Sequence, residues 1–209
     1  KFGYFRTERV SYDKNRGATD SGRILYANRH NIWKRAHDDS GNIIPVEKRE
    51  PKPVAYYLTP NYPKELMPSA LELEKTWDYA FRRAVAVPRG IDPMAAPKMF
   101  YLCQNPVPEG APEACGKPGL SPRIGDIRYN MLAWVHRPQL AGPLGYGPSG
   151  ADPETGEIVQ AGAYIYGAGL DAAAGDTQTI VEVLSGKLSI DALVSGQNAR
   201  DYVKLNYAP

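Results

Sequence analysis

The sequence predicts an α+β fold in which a mixed β-sheet is backed by a helix. Three observations carry that expectation. A compact β-prone run, Val54-Ala55-Tyr56-Tyr57-Leu58, is closed by Thr59-Pro60 and suits a central strand. From Pro68 the period changes, with Leu71, Leu73, Trp77, Ala80, Phe81, Ala84 and Val85 recurring at spacings of three and four, as an amphipathic helix requires. Residues 98–103 and 126–135 are again β-prone, so the order is strand, helix, strand, strand.

Before this unit, residues 1–53 read as an irregular, partly β-structured basic arm. Short aromatic-bearing runs, Phe2-Gly3-Tyr4-Phe5 and Arg23-Ile24-Leu25-Tyr26-Ala27, are separated by polar turns such as Asp20-Ser21-Gly22. The basic residues of the arm are interleaved with Asp13, Asp38, Asp39 and Glu47, which describes a solvated surface better than a nucleic-acid footprint. Pro51-Lys52-Pro53 marks its end. Within the helix, Ser69 followed by Glu72 forms a capping-box pattern, Glu72, Lys75, Asp78, Arg82 and Arg83 fill most of the polar face, and Pro88 with Gly90 stops the run. On this reading Trp77 and Phe81, one turn apart, anchor the core under the sheet.

Strand 126–135 shows partial alternation, and Asp152-Pro153-Glu154-Thr155-Gly156 then makes a turn with Gly156 placed for a positive φ. The strand that follows, residues 161–167, is small and glycine-flanked, which suits an edge approached by another backbone. Tyr164 and Tyr166 would project from one face of it and bracket a peptide or partner. The remainder reads helical, with segments stopped at Gly186 and Gly196. Residues 54–169 therefore form the expected central unit and residues 170–209 a helical tail.

Composition bounds the function classes. Lys+Arg number 25 against Asp+Glu 23 in 209 residues, a net charge of +2 that is too balanced to suggest a nucleic-acid or membrane-surface partner. Hydrophobic residues at 43% support one good-sized core, and 19 Pro with 20 Gly imply long ordered loops. The run from Ile124 to Val135 is interrupted by Asp126, Arg128 and Asn130, so no transmembrane segment is expected. The chain begins Lys1-Phe2-Gly3 without a leader and ends on Asn206-Tyr207-Ala208-Pro209, which reads as a piece of a longer polypeptide.

Cys103 and Cys115, the two cysteines of the chain, flank a Pro/Gly-rich stretch. An even pair in a loop reads as a disulfide and an oxidising compartment, and two free thiols in a reducing one are the alternative. Two cysteines with no neighbouring His do not make a closed zinc site. His30, His37 and His136 fit no metal pattern, and each suits a surface or hydrogen-bonding role. The sequence has no His-Glu-x-x-His, no Gly-x-Ser-x-Gly and no phosphate-binding glycine loop, so it offers no catalytic residue and no metal ligand. Asp126, Asp152, Glu154 and Glu157 are explained more simply by turns and strand ends than by acid/base work.

Some of these motifs carry a family resemblance. Pro53-Val54-Ala55-Tyr56-Tyr57-Leu58, Trp77-x-x-x-Phe81, Asp126-Ile127-Arg128-Tyr129-Asn130 with Trp134-Val135, Gly147-Pro148-Ser149, and Asp152-Pro153-x-Thr155-Gly156-Glu157-Ile158 resemble the amino-terminal part of a secreted bacterial zinc metalloprotease of the metzincin kind. Gly3-Tyr4-Phe5-Arg6-Thr7-Glu8-Arg9 and Asn28-Arg29-x-Asn31-Ile32-Trp33 resemble the segment that precedes such a domain. The likeness spans about three quarters of the chain, and only the Asp-Pro-x-Thr-Gly-Glu-Ile order is moderately specific.

The resemblance implies a twisted mixed sheet with a backing helix, and an edge strand that pairs with extended peptide substrate through Gly162, Ala163, Tyr164, Ile165 and Tyr166. It also implies export to the periplasm, outer cell surface or extracellular space. One departure is large: the two His ligands and the Glu base of the family should follow the edge strand, whereas residues 170–207 hold no His. Either these ligands lie beyond Pro209 or the metal is lost. The expectation is thus the substrate-edge portion of a zinc metalloendopeptidase, inactive alone, with no cofactor in this chain and zinc in the complete protein. Its partners would be a downstream segment of the parent and a peptide substrate, with no nucleic acid. The rival reading is a non-catalytic structural or interaction component of a cell-surface assembly.

Overall fold

The computed structural model describes residues 5–137 and 144–207. The chain is α+β, with a mixed multi-strand sheet and several helices. Two compact units are present, one running to Trp134 and resuming at Gly145–Ile165, the other containing the helices from Tyr166 onward.

The first unit opens with a long hairpin. β1 (Arg6–Asp13) pairs antiparallel with β2 (Gly17–Ala27), with an irregularity between Val10 and Tyr12. Pairing follows from local turn chemistry: Asp13 Oδ1 accepts the amides of Asn15 and Arg16, and Gly17 takes φ 73°. The arm expected from sequence is therefore more regular than its composition suggests. Residues 1–4, including most of the Phe2-Gly3-Tyr4-Phe5 run, lie outside the described residues.

The main sheet is built around β3 (Val54–Leu58). It is flanked by two parallel neighbours, β4 (Phe100–Cys103) and β5 (Asn130–Val135), with Tyr57 opposite Cys103 on one side and Met131 on the other. Beyond β5 comes β8 (Ile158–Tyr166), and β6 (Gly145–Tyr146) and β7 (Ser149–Ala151) pair antiparallel with β8, giving the order β4-β3-β5-β8-β6. Residues 126–129, expected to begin the third strand, form a turn instead, because the Asp126 carboxylate accepts the Arg128 amide and holds the chain back. Asn130 ties three strands together by donating to the Ala55 carbonyl (3.0 Å) and accepting from the Ala161 amide (2.8 Å).

Period-two alternation sorts the sheet into two faces. Tyr57, Cys103 and Met131 pack with Val107 and Cys115 on one of them. Cys103 and Cys115 form a disulfide with a Cα–Cα distance of 5.6 Å, and the Tyr57 hydroxyl donates to the Cys115 carbonyl, so the Pro/Gly-rich loop is fastened over this face. The other face receives α1 (Met67–Ala86), whose Phe81 ring stacks on Phe100 at 5.8 Å.

The helix sits differently from its apolar pattern. Ser69 lies inside it rather than capping it, and the N-cap position is Leu66 with no side-chain cap bond. Trp77 is 50% exposed instead of anchoring the core. Two carboxylates explain the rotation. Asp78 Oδ1 accepts the amides of Met99 (2.6 Å) and Phe100 (3.1 Å), Asp78 Oδ2 pairs with Arg82, and Glu74 Oε1 accepts the Leu102 amide (3.1 Å) and Lys98 Nζ (2.8 Å). Turning these acids toward β4 leaves Leu73 and Trp77 partly in solvent, with the Trp77 ring still against Phe100 at 6.4 Å. Val85, Ala86, Ala96 and Met99 fill the space beneath.

The second unit consists of α2 (Gly167–Leu184), α3 (Ile190–Val194) and α4 (Gln197–Tyr207). Gly186 and Gly196 adopt positive φ just past the ends of α2 and α3, as their places in the sequence predict. Among the described residues no helix is long and apolar enough to cross a membrane.

Replacing Asp78 with Ala should cost about 3–5 kcal/mol in urea unfolding, because it removes the carboxylate partner of Arg82 and leaves the Met99 and Phe100 amides without their acceptor. Met99→Ala, at a fully buried position, should cost about 2–5 kcal/mol, while Trp77→Ala should cost about 1–2 kcal/mol because half of the ring is already in water. An equal loss at Trp77 and Met99 would place the helix in the orientation its apolar stripe suggests.

Candidate functional site

The strand singled out as a peptide-pairing edge is an interior strand. Gly145 lies opposite Ile165, Tyr146 opposite Tyr164 and Ser149 opposite Ala161, and the Gly162 amide donates to the Pro148 carbonyl at 2.8 Å, so residues 145–151 run as one antiparallel strap along β8. The Asp152 turn makes this return possible. Asp152 accepts from the Glu154 amide and the Thr155 hydroxyl, and Gly156 takes φ 72° with its α-carbon against the hairpin. A Cβ at Gly156 would stand 2.6 Å from the Ala27 carbonyl oxygen, so both backbone conformation and space demand glycine there. Addition of a peptide strand to that side of β8 is closed by the chain itself.

What β8 offers is its side-chain surface. Gly162, Ala163 and Ile165 line a groove of about 1300 Å³ within the first unit, while Tyr164 and Tyr166 lie outside its lining. Tyr56, Phe100, Leu102 and Leu132 of the sheet, and Leu73, Trp77 and Phe81 of α1, form the rest of its apolar wall. The groove exists because α1 packs on β4 at the end of the sheet and leaves the same face of the strands beyond it open, with Trp77 lining the open space.

The segment after the hairpin closes one end. The Arg29 amide donates to the Gly156 carbonyl and the Ile158 amide to the Arg29 carbonyl, which lays residues 29–33 beside the start of β8; the Lys52 amide then donates to the Ile32 carbonyl. This places His30 against Tyr56 and Phe81, with ring centroids 6.0 and 5.9 Å away. His30 Nε2 and the Tyr56 hydroxyl share a 3.2 Å hydrogen bond. Burial holds the His30 pKa below its ordinary 6.5 and pushes the Tyr56 hydroxyl up to about 12, so both are neutral near pH 7. The pair contributes one polar point in an apolar wall.

The other groups named from sequence have structural duties. Asp126 is gripped by Arg128 through two hydrogen bonds, 2.9 and 2.7 Å, and this pairing brings its pKa down to about 2. Glu154 is exposed, Glu157 stands at the groove wall, and His37 forms a bridge with Ile43. Among the described residues no three His, Cys, Asp or Glu side chains come together to hold a metal ion. The zinc implied by the resemblance therefore finds no cluster of ligands among the described residues.

Compared with known proteins, the chain matches no family model, no curated protein and no solved structure. The groove itself had little local signature. Its lining comes from residues far apart in sequence, and only the exposed-aromatic position of Trp77, set by distant amides, reveals it.

Because the His30 pKa is lowered by folding, the unfolded state takes up the proton first as pH falls. The stability that neutral His30 contributes is complete above pH 6.5 and is lost progressively below it, until the folded-state pKa is passed. Urea midpoints measured from pH 8 to pH 5 should fall through this window, and the slope should be shallower in His30→Gln. An identical slope in both proteins would show that His30 is solvated.

Proposed function

We propose that the first unit is the peptide-binding portion of an exported zinc metalloendopeptidase, seating apolar side chains of the substrate in the groove between α1 and β8. The zinc ligands and general base would come from a further segment of the same parent polypeptide. The groove carries this reading: a long cavity lined by aromatic and aliphatic groups, with one neutral polar pair, suits an extended apolar segment. The motif resemblance supplies the reaction class, and the Cys103–Cys115 disulfide is compatible with an oxidising compartment.

A second reading is favoured by the lack of any metal-holding cluster among the described residues. On it the same groove serves a non-catalytic interaction component of a cell-surface assembly. Metal analysis and peptide hydrolysis by the parent protein separate the two, since bound zinc with turnover belongs only to the first.

Trp33 and Trp77 both line the groove, which provides an intrinsic reporter. Titration with a short acetylated and amidated Leu/Phe peptide should shift their fluorescence saturably, and Trp77→Ala should weaken binding about tenfold, a typical loss for a central aromatic contact. Absence of a saturable change, or full affinity in Trp77→Ala, would remove the groove as the binding site.

A further inference from the structure

The groove does not end at its apolar wall. His30, Asn31, Glu157 and Ile158 line both it and a second cavity of about 270 Å³, whose other walls include Lys52, Arg128 and Asn130. We propose that the two cavities form one bipartite site selecting apolar peptides that carry a carboxylate beside the apolar stretch, with Lys52 as the residue that reads the charge. This inference rests on the peptide-binding reading of the groove.

The charges around the small cavity support that assignment. Arg128 is committed to Asp126 by its two hydrogen bonds, so its guanidinium is already neutralised by a fixed partner. Lys52 is different. Its backbone is fixed, because its amide donates to the Ile32 carbonyl at 2.8 Å and prolines flank it at positions 51 and 53. Its ammonium has no hydrogen-bond or ion-pair partner among the described residues. A cation on a residue that lines a polar cavity, without a counter-ion, complements an incoming anion.

Glu157 sets the polarity of the site. It stands on the wall shared by the two cavities and accepts weakly from Asn31 Nδ2 at 3.4 Å. A ligand carboxylate is repelled from that shared wall and is satisfied only toward Lys52, whereas peptide N–H groups can donate to Glu157. An extended peptide supplies both kinds of group, with amides along the chain and the carboxylate on a terminal or side-chain position. A long-chain carboxylate supplies the acid but no donor for Glu157, which argues for the peptide.

The test compares an acetylated, amidated Leu/Phe peptide ending in Glu with its Gln counterpart, using the intrinsic tryptophan signal at low ionic strength. The Glu peptide should bind about 3- to 10-fold more tightly, the range for a partly exposed ion pair, and the preference should shrink in 0.5 M salt. Lys52→Gln should bring the ratio of the two dissociation constants to about one, and Lys52→Arg should keep the preference. Equal affinities in the unaltered protein, or a preference that survives Lys52→Gln, overturn the inference while leaving the groove reading intact. Failure of both peptides to bind overturns the groove reading and this inference together. Displacement of the Glu peptide by dodecanoate at lower concentration than by the peptide itself would make the site one for aliphatic acids and overturn the peptide assignment.

Discussion

The position of α1 is decided by two carboxylates that answer to main-chain amides as well as to basic side chains. β4 pairs with β3 on one side only, so the amides along its free side need acceptors within reach. Asp78 and Glu74 provide them at Met99, Phe100 and Leu102, and Arg82 and Lys98 neutralise the acids where they do so. A charge-assisted bond to a partly buried amide outweighs the gain from turning one more aromatic ring inward. The helix therefore takes the angle the carboxylates require. Everything on the groove side follows from that angle, including the half-exposed Trp77 and the uncovered stretch of β5 and β8.

Much of the scaffold was legible in the sequence, for local reasons. Val54–Leu58 is β-prone and bounded by prolines, Met67–Ala86 has a clear helical period, and Gly156 stands where its turn needs a left-handed residue. The cysteine pair was legible because a loop of that composition has few other ways to be fastened. The helix's rotation was not, since the apolar stripe and the acid pair on Glu74 and Asp78 are both periodic and only the amides of a distant strand choose between them. The strap along β8 was hidden as well. Gly145-Tyr146-Gly147-Pro148 reads as turn residues, and its pairing comes from register with a partner strand on the far side of the Asp152 turn, Gly145 opposite Ile165 and Tyr146 opposite Tyr164. His30 and Tyr56 lie 26 residues apart with no shared pattern, so their hydrogen bond was invisible until the post-hairpin segment was placed.

These two hidden features change what binding can mean here. With β8 paired on both sides, the strand offers side chains and cavity shape, not a ladder of open main-chain bonds, to the proposed peptide. The polar groups along the apolar wall are few: His30 and Tyr56 are held neutral by their surroundings, and Glu157 and Lys52 bring opposite charges to the lining of the adjoining small cavity.

The same arrangement governs how the sheet meets its own copies. At one end the outermost strand has its amides taken up by helix carboxylates; at the other, the outermost strands are only two and three residues long and are interrupted by Pro148. Neither end offers the long, flat row of open donors and acceptors on which a neighbouring chain could stack. The six-stranded sheet is thus terminated in both directions, and a second copy of it has no row of open main-chain groups there on which to extend it sideways.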